Sequence, residues 1–275
     1  MNSMLKIGCA QITATPDPAH NLDQAASLLE QAGAEGLDMV VLPEAFDFLA
    51  PGTSAVPDHA RSDQPPQIFN RLATLARENG LWLVAGSVST INDAGEPVNR
   101  QLMFDPGGTL VAYYDKIHMF DVDLPNGDPI RESDLYRPGE RAVIAQTPWG
   151  GIGMSICYDV RFPHLFRSLA KGGAKVLLVP AAFSSFTGPL HWQTLLQARA
   201  IETGCFVVAP AQCGDNHEGR RSHGHSLIID PWGRILAEAA DEPVLISAEL
   251  DLAEVERFRA AIPSLANERP FAFGE

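Results

Sequence analysis

Short apolar strands and amphipathic helices alternate along the whole chain, and no other feature of the sequence restricts its fold as strongly. Strands are predicted at residues 6–10, 39–42, 81–88, 101–104, 109–113, 142–147, 152–156, 176–179, 206–209, 226–229, 234–237 and 244–249. Helices are predicted at 68–79, 163–171, 189–203 and 252–261, with an earlier one capped by Asn21 and Gln24. In that first helix Leu22, Ala25, Leu28, Leu29 and Ala32 share a face, and Gly33 and Gly36 close it. Asp251 and Glu254 have the spacing of a capping box for the last. Twelve strands against five helices are too many for one doubly wound sheet, so two packed sheets flanked by helices are expected.

One internal echo fits two sheets. Leu102-Met-Phe-Asp105-Pro-Gly-Gly-Thr-Leu110-Val-Ala112 and Leu227-Ile-Ile-Asp230-Pro-Trp-Gly-Arg-Ile235-Leu-Ala237 each give a strand, an Asp-Pro-x-Gly turn and a return strand. They read either as related halves or as two hairpins of similar type. No linker or low-complexity tract divides the chain, so residues 1–275 are expected to form one domain with a C-terminal tail at about 262–275.

The formal charge of -14 argues against a nucleic-acid or anionic-membrane partner, which would call for a basic patch. No stretch approaches the roughly 18 apolar residues of a membrane span, and the amino terminus lacks a cleavable-signal pattern. A cytoplasmic location is the expectation. The four cysteines, Cys9, Cys157, Cys205 and Cys213, are too far apart for a Cys-x-x-Cys metal knuckle, and Cys9 and Cys205 lie in apolar runs as structural residues do.

Cys157 differs in its setting. In Gly151-Ile-Gly-Met-Ser-Ile-Cys157-Tyr-Asp-Val-Arg161-Phe-Pro163 an alternating strand stops at the cysteine, and Pro163 suits the first turn of a helix. A thiol there faces open space above a sheet, near backbone N–H groups that can bind developing negative charge. By itself such a cysteine is as compatible with burial in the core. Three other segments change its meaning: Leu42-Pro43-Glu44 puts a carboxylate at the exit of a buried strand, Tyr113-Tyr-Asp-Lys116-Ile-His puts a lysine past another strand end, and Glu132 lies in a polar loop. Together they supply a base, a cation and a second acid for a thiol nucleophile.

These motifs, in this order, resemble the nitrilase superfamily of carbon-nitrogen hydrolases, and the resemblance runs from Lys6 to Phe271. Lys116-Ile-His-Met-Phe-Asp-Val-Asp-Leu-Pro125, Gly188-Pro-Leu-His191-Trp192, Arg199-Ala-Ile-Glu202 and Gly224-His225-Ser226 look like the branch that holds deaminated glutathione amidase and omega-amidase. The segment from Ala200 to Gln212 is closer to the former, whereas Ser184-Ser-Phe186 departs from the Thr-Val-Pro or Asn-Leu-Thr of those branches. The resemblance implies a four-layer α-β-β-α sandwich and amide hydrolysis through a thioester. Glu44 would take the Cys157 proton, Lys116 and the Tyr158 N–H would hold the oxyanion, and Glu132 would position substrate and Lys116. Ammonia would leave by way of Glu44, and water activated there would release the acid.

The resemblance also implies a homodimer or larger assembly, a small amide and water as reactants, and no cofactor or metal. Deaminated glutathione is the expected substrate. Omega-amides of 2-oxo acids and N-carbamoyl amino acids are alternatives, and nitriles remain open. Arg161 would either meet a substrate carboxylate or pair with Asp159, and Phe183 and Thr187 would touch substrate or pack the loop. His191 is expected to be an ordinary helix histidine. Three other classes compete: a papain-like hydrolase lacks a marked histidine base, His217, His223 and His225 suit a turn better than a metal site, and an idle scaffold of the same fold would need to have lost a catalytic residue.

Overall fold

The computed structural model describes residues 3–50, 55–125, 129–217 and 219–274. The first half of the chain forms β1 (Met4–Gln11), α1 (Pro18–Ala34), β2 (Met39–Val41), α2 (Ala55–Arg61), α3 (Gln64–Asn79), β3 (Trp82–Ile91), β4 (Pro97–Phe104) and β5 (Leu110–Asp115). A short ribbon of β6 (Asp121–Val122) and β7 (Ile130–Arg131) follows. The second half forms β8 (Val143–Thr147), β9 (Gly150–Met154), α4 (Pro163–Lys171), β10 (Ala174–Leu178), α5 (Gly188–Thr203) and β11 (Phe206–Ala209). The hairpin of β12 (Cys213–His217) and β13 (Arg220–His223) precedes β14 (Leu227–Ile229), β15 (Ile235–Glu238), β16 (Val244–Asp251) and α6 (Ala253–Ala261).

Two six-stranded sheets result, ordered β16-β1-β2-β3-β4-β5 and β15-β14-β11-β10-β9-β8. Each has a parallel trio, β1-β2-β3 in one and β9-β10-β11 in the other, with an antiparallel hairpin beyond its last strand. Those hairpins carry the echoed segments, and their turns match atom for atom. Asp105 Oδ1 accepts from Gly107 and Thr109 N–H as Asp230 Oδ1 does from Trp232 and Arg234, and Gly108 and Gly233 take φ values of 79° and 80°. The two halves therefore repeat one βαβαβββ plan, three parallel strands followed by a hairpin.

Helices cover the outer faces. Leu29 of α1 and Ile68, Leu72 and Leu75 of α3 pack on Val40, Leu42, Leu83 and Leu102, while Leu165 and Phe166 of α4 and Trp192 and Leu196 of α5 join the core of the second sheet. The inner faces meet each other: Trp82 contacts Trp149 edge-on at 6.1 Å, and Gln11 Oε1 accepts from Ser226 N–H and Oγ–H. Strands covered on both faces read as unbroken apolar runs, as Phe206-Val-Val-Ala209 does. The expected four-layer α-β-β-α sandwich is thus the fold.

Several local expectations need correction. The first helix starts at Pro18 and is capped by Asp17, whose Oδ1 accepts from Ala19 and His20 N–H. Asn21 is buried and ties loops together through Thr15 N–H, Thr15 C=O and Asp47 C=O. Asp251 accepts from Ala253 N–H, but Glu254 turns to Arg257, so no capping box forms. The third helix starts four residues earlier than its apolar periodicity shows, and α2 was not anticipated.

Candidate active site

Glu44, Lys116, Cys157 and Glu132 converge at the floor of a cleft of about 440 Å³, above the ends of the parallel strands. Glu44 arrives just past β2. Ala45 beside it takes φ 52°, and its N–H donates to Ser87 Oγ at 2.8 Å, where β3 breaks its register with β4. The chain passes so closely there that a Cβ on Gly86 would lie 1.8 Å from Leu42 C=O, so only glycine fits. Cys157 follows β9 at φ 45° and opens a 3₁₀ turn, Cys157–Arg161, that leads into α4. Its own N–H donates to Pro180 C=O at 2.9 Å. Among the described residues no acceptor takes the Tyr158 N–H, which leaves it available to an oxyanion.

Lys116 is only 2% exposed and lies among carboxylates. Its Nζ donates to Glu44 Oε1 and to both oxygens of Glu132, each at 2.8 Å. Glu132 is fixed in turn by Phe120 N–H at 2.6 Å, and Glu44 Oε2 accepts from Ala182 N–H at 2.8 Å. Burial disfavours the charged forms of all these groups, but the mutual attraction reverses that for two of them. Lys116 is pushed well above the usual lysine range by Glu132 and Glu44 despite burial. Burial raises Glu44 as well, yet the Lys116 charge and the hydrogen bonds from Lys116 and Ala182 hold it below the usual carboxylate value. Cys157 goes the other way: burial and the neighbouring Glu44 charge push its thiol well above the usual range, against the pull of Lys116. The resting site is therefore a neutral thiol beside a charged carboxylate and a charged lysine.

The remaining expected residues line the same cleft. Phe183 is buried against the Trp192 ring, centroids 4.9 Å apart, and the Arg161 guanidinium sits 5.4 Å above its ring. Thr187 precedes α5 without capping it by its side chain, and Tyr158 packs edge-on to Phe120 and Phe162. Arg161 does not pair with Asp159. That aspartate is fully occupied by Ile156 N–H, Tyr114 O–H, His118 N–H and His118 Nδ1, and it holds the 3₁₀ turn from below. Arg161 instead donates to His191 Nδ1 at 3.3 Å, so His191 acts as its buttress. Among the described residues Arg161 has no carboxylate partner. His223 and His225 stack on each other at 4.6 Å, and among the described residues no three metal-type side chains converge. All four cysteines are buried and free.

Sequence reasoning missed Asn99. Its Nδ2 donates to Glu44 Oε1 at 3.1 Å and to Glu132 Oε1 at 3.4 Å, joining the two acids from the middle of β4. Asn99 lies ahead of the 101–104 strand that the apolar pattern marks, and nothing local to it distinguishes it from its buried polar neighbour Gln101.

A cysteine, a carboxylate and a lysine held together at strand ends between two packed sheets make a candidate site for thiol-dependent hydrolysis. Residues 6–260 match the carbon-nitrogen hydrolase family, and the chain belongs to it. It is 41% identical over 276 residues to the deaminated glutathione amidase of Bos taurus, covering 98% of this chain and 83% of that one. The crystal structure of the Caenorhabditis elegans NitFhit protein superposes with a TM-score of 0.91 at 37% identity over 97% of this chain; this chain spans 65% of that longer protein. A glutamate-to-glutamine mutant of the amidase from Nesterenkonia sp. AN1, 28% identical with a TM-score of 0.82 over 96% of this chain and 94% of that one, carries the acetamide moiety of fluoroacetamide on its active-site cysteine. The chain is thus an amide-hydrolysing enzyme of the carbon-nitrogen hydrolase family. Among the described residues no helix is long and apolar enough to cross a membrane.

Proposed function

We propose that the enzyme cleaves the amide of deaminated glutathione through a thioester on Cys157. The observation that carries this is the Glu44–Lys116–Glu132 network against the Cys157 thiol, with Arg161 beside it, which among the described residues has no carboxylate partner. The 41%-identical relative named for that activity supports the substrate. Deaminated glutathione is a 2-oxo acid whose far carbonyl forms an amide with cysteinylglycine. Two acids against one lysine leave the cleft floor with an excess negative charge, so a substrate carboxylate requires a cation of its own. Arg161 supplies it, with Phe183 and Thr187 beside the acyl chain.

Because the thiol is neutral at rest, its proton moves to Glu44 as sulfur attacks the amide carbon. The carbonyl electron pair becomes an oxyanion, held by the Tyr158 N–H and by Lys116. At rest two Lys116 N–H groups serve Glu132 and the third serves Glu44; once Glu44 has taken the thiol proton, that third N–H turns to the oxyanion while Glu132 keeps the ammonium in place. When the intermediate collapses, the C–N bond breaks and Glu44 returns the proton to the departing amine. In this substrate that amine belongs to cysteinylglycine, so the leaving group is a dipeptide where the sequence had suggested ammonia. Water then enters, gives its proton to Glu44 and attacks the thioester; the acid leaves and Cys157 recovers its proton.

Release of cysteinylglycine from deaminated glutathione, compared with ammonia release from the 2-oxo acid omega-amide, is the direct assay. Arg161→Ala should raise KM for either substrate by about 10- to 100-fold, the loss of one charged hydrogen-bond pair. An unchanged KM would remove Arg161 from the acyl site. Leu190 of α5 and Phe271 and Phe273 of the tail are strongly exposed, which supports a homodimer or larger assembly. Light scattering checks this, and a monomer mass would contradict it.

A further inference from the structure

The cleft holds more positive charge than the chemistry at its floor uses. Besides Lys116 and Arg161 it is lined by Arg220 and Arg221 of the β12–β13 hairpin. Arg221 is neutralised, since it pairs with Asp215 at 3.1 Å and also with Asp241. Arg220 is exposed, and among the described residues it has no hydrogen-bond or carboxylate partner. What sets Arg220 apart from the other arginines without a carboxylate partner among the described residues is its place: with Arg161 it lines the cleft that holds Cys157.

The position of Arg220 is fixed by the fold. His223 N–H donates to Phe183 C=O at 2.9 Å, and Ser184 and Ser222 form an antiparallel bridge, so β13 is joined directly to the loop that carries Phe183. Along β13 the side chains alternate, which sends Arg220 and Ser222 to one face and Arg221 to the other, towards its acids. From Arg220 the cleft continues into a shallower depression shared with Ser185, His217 and Asp215, whose carboxylate is taken by Arg221.

We propose that Arg220 is a specificity-determining residue that binds the distal carboxylate of the peptide leaving group. This rests on the substrate reading above and extends it from the acyl side to the amine side. Deaminated glutathione has two carboxylates, the 2-oxo acid group and the glycyl terminus. The cleft has two uncompensated guanidinium groups among the described residues, Arg161 and Arg220. The glycyl carboxylate lies two residues beyond the scissile nitrogen, roughly 7 Å along an extended chain. An exposed arginine on the rim forms a bidentate contact there, and its energy goes into recognising the leaving group and none into the reacting bond.

The test compares deaminated glutathione with its analogue in which the glycyl carboxylate is a carboxamide. The wild-type enzyme is expected to prefer the acid by about 10- to 100-fold in kcat/KM, mostly through KM. In Arg220→Ala that preference should fall towards one, and Arg220→Lys should restore part of it, as charge is kept without the planar fork. Hydrolysis by wild type with no preference, or with a preference that Arg220→Ala leaves intact, overturns the assignment of Arg220 alone. Failure of wild type to hydrolyse either compound overturns the substrate reading and this inference with it.

Discussion

Cys157→Ala is expected to reduce amide hydrolysis to background, a loss on the order of 10⁶-fold in kcat, because no other group at the cleft floor can form the acyl bond. The fold should survive the change. Cys157 holds φ 45° in a region unfavourable for any residue with a Cβ, and its thiol is pressed against the Glu44 charge. Alanine keeps the backbone demand and removes the buried thiol, so the thermal midpoint should stay the same or rise. Retained turnover in this variant would eliminate the thioester route.

Glu44→Gln should cost about 10⁴-fold or more, since the same carboxylate takes the thiol proton, returns it to the amine and activates water. This change is less conservative than it looks. Glu44 accepts through both oxygens, Oε1 from Lys116 and Asn99 and Oε2 from Ala182 N–H, whereas glutamine has one oxygen and an NH₂ that must face a donor. About 1–3 kcal/mol of stability should be lost as well. Thermal unfolding beside single-turnover kinetics separates the two effects: a folded, unaltered protein with normal acylation would show that Glu44 is not the base.

How much was legible in the sequence depended on whether a residue's role was local. Cys157, Glu44 and Lys116 each follow a strand, so a period-two pattern that stops places them on one rim of the sheets. The echoed Asp-Pro-x-Gly turns were legible for the same reason, since the turn chemistry is complete within five residues. What escaped was set by distant partners. Asn21 looked like a helix cap, but the cap is Asp17, and the buried amide of Asn21 bonds to a loop 26 residues away. For Arg161 the sequence left two partners open, a substrate carboxylate or Asp159 two residues away. The aspartate had been claimed by Tyr114 and His118 from the other sheet's edge, which frees the arginine for the cleft. The seven residues of α2, with a proline among them, are too few to display a helical period. Asn99 and Arg220 belong to the same group, because what marks them is the cleft they share with residues far along the chain.

The most direct measurement is intact and peptide mass spectrometry of enzyme quenched in acid during turnover of deaminated glutathione. The expected result is a 2-oxoglutaryl adduct on the peptide that contains Cys157, formed by wild type and absent from Cys157→Ala. Steady turnover by wild type with the acyl group found on another residue, or with Cys157→Ala turning over equally fast, would contradict it.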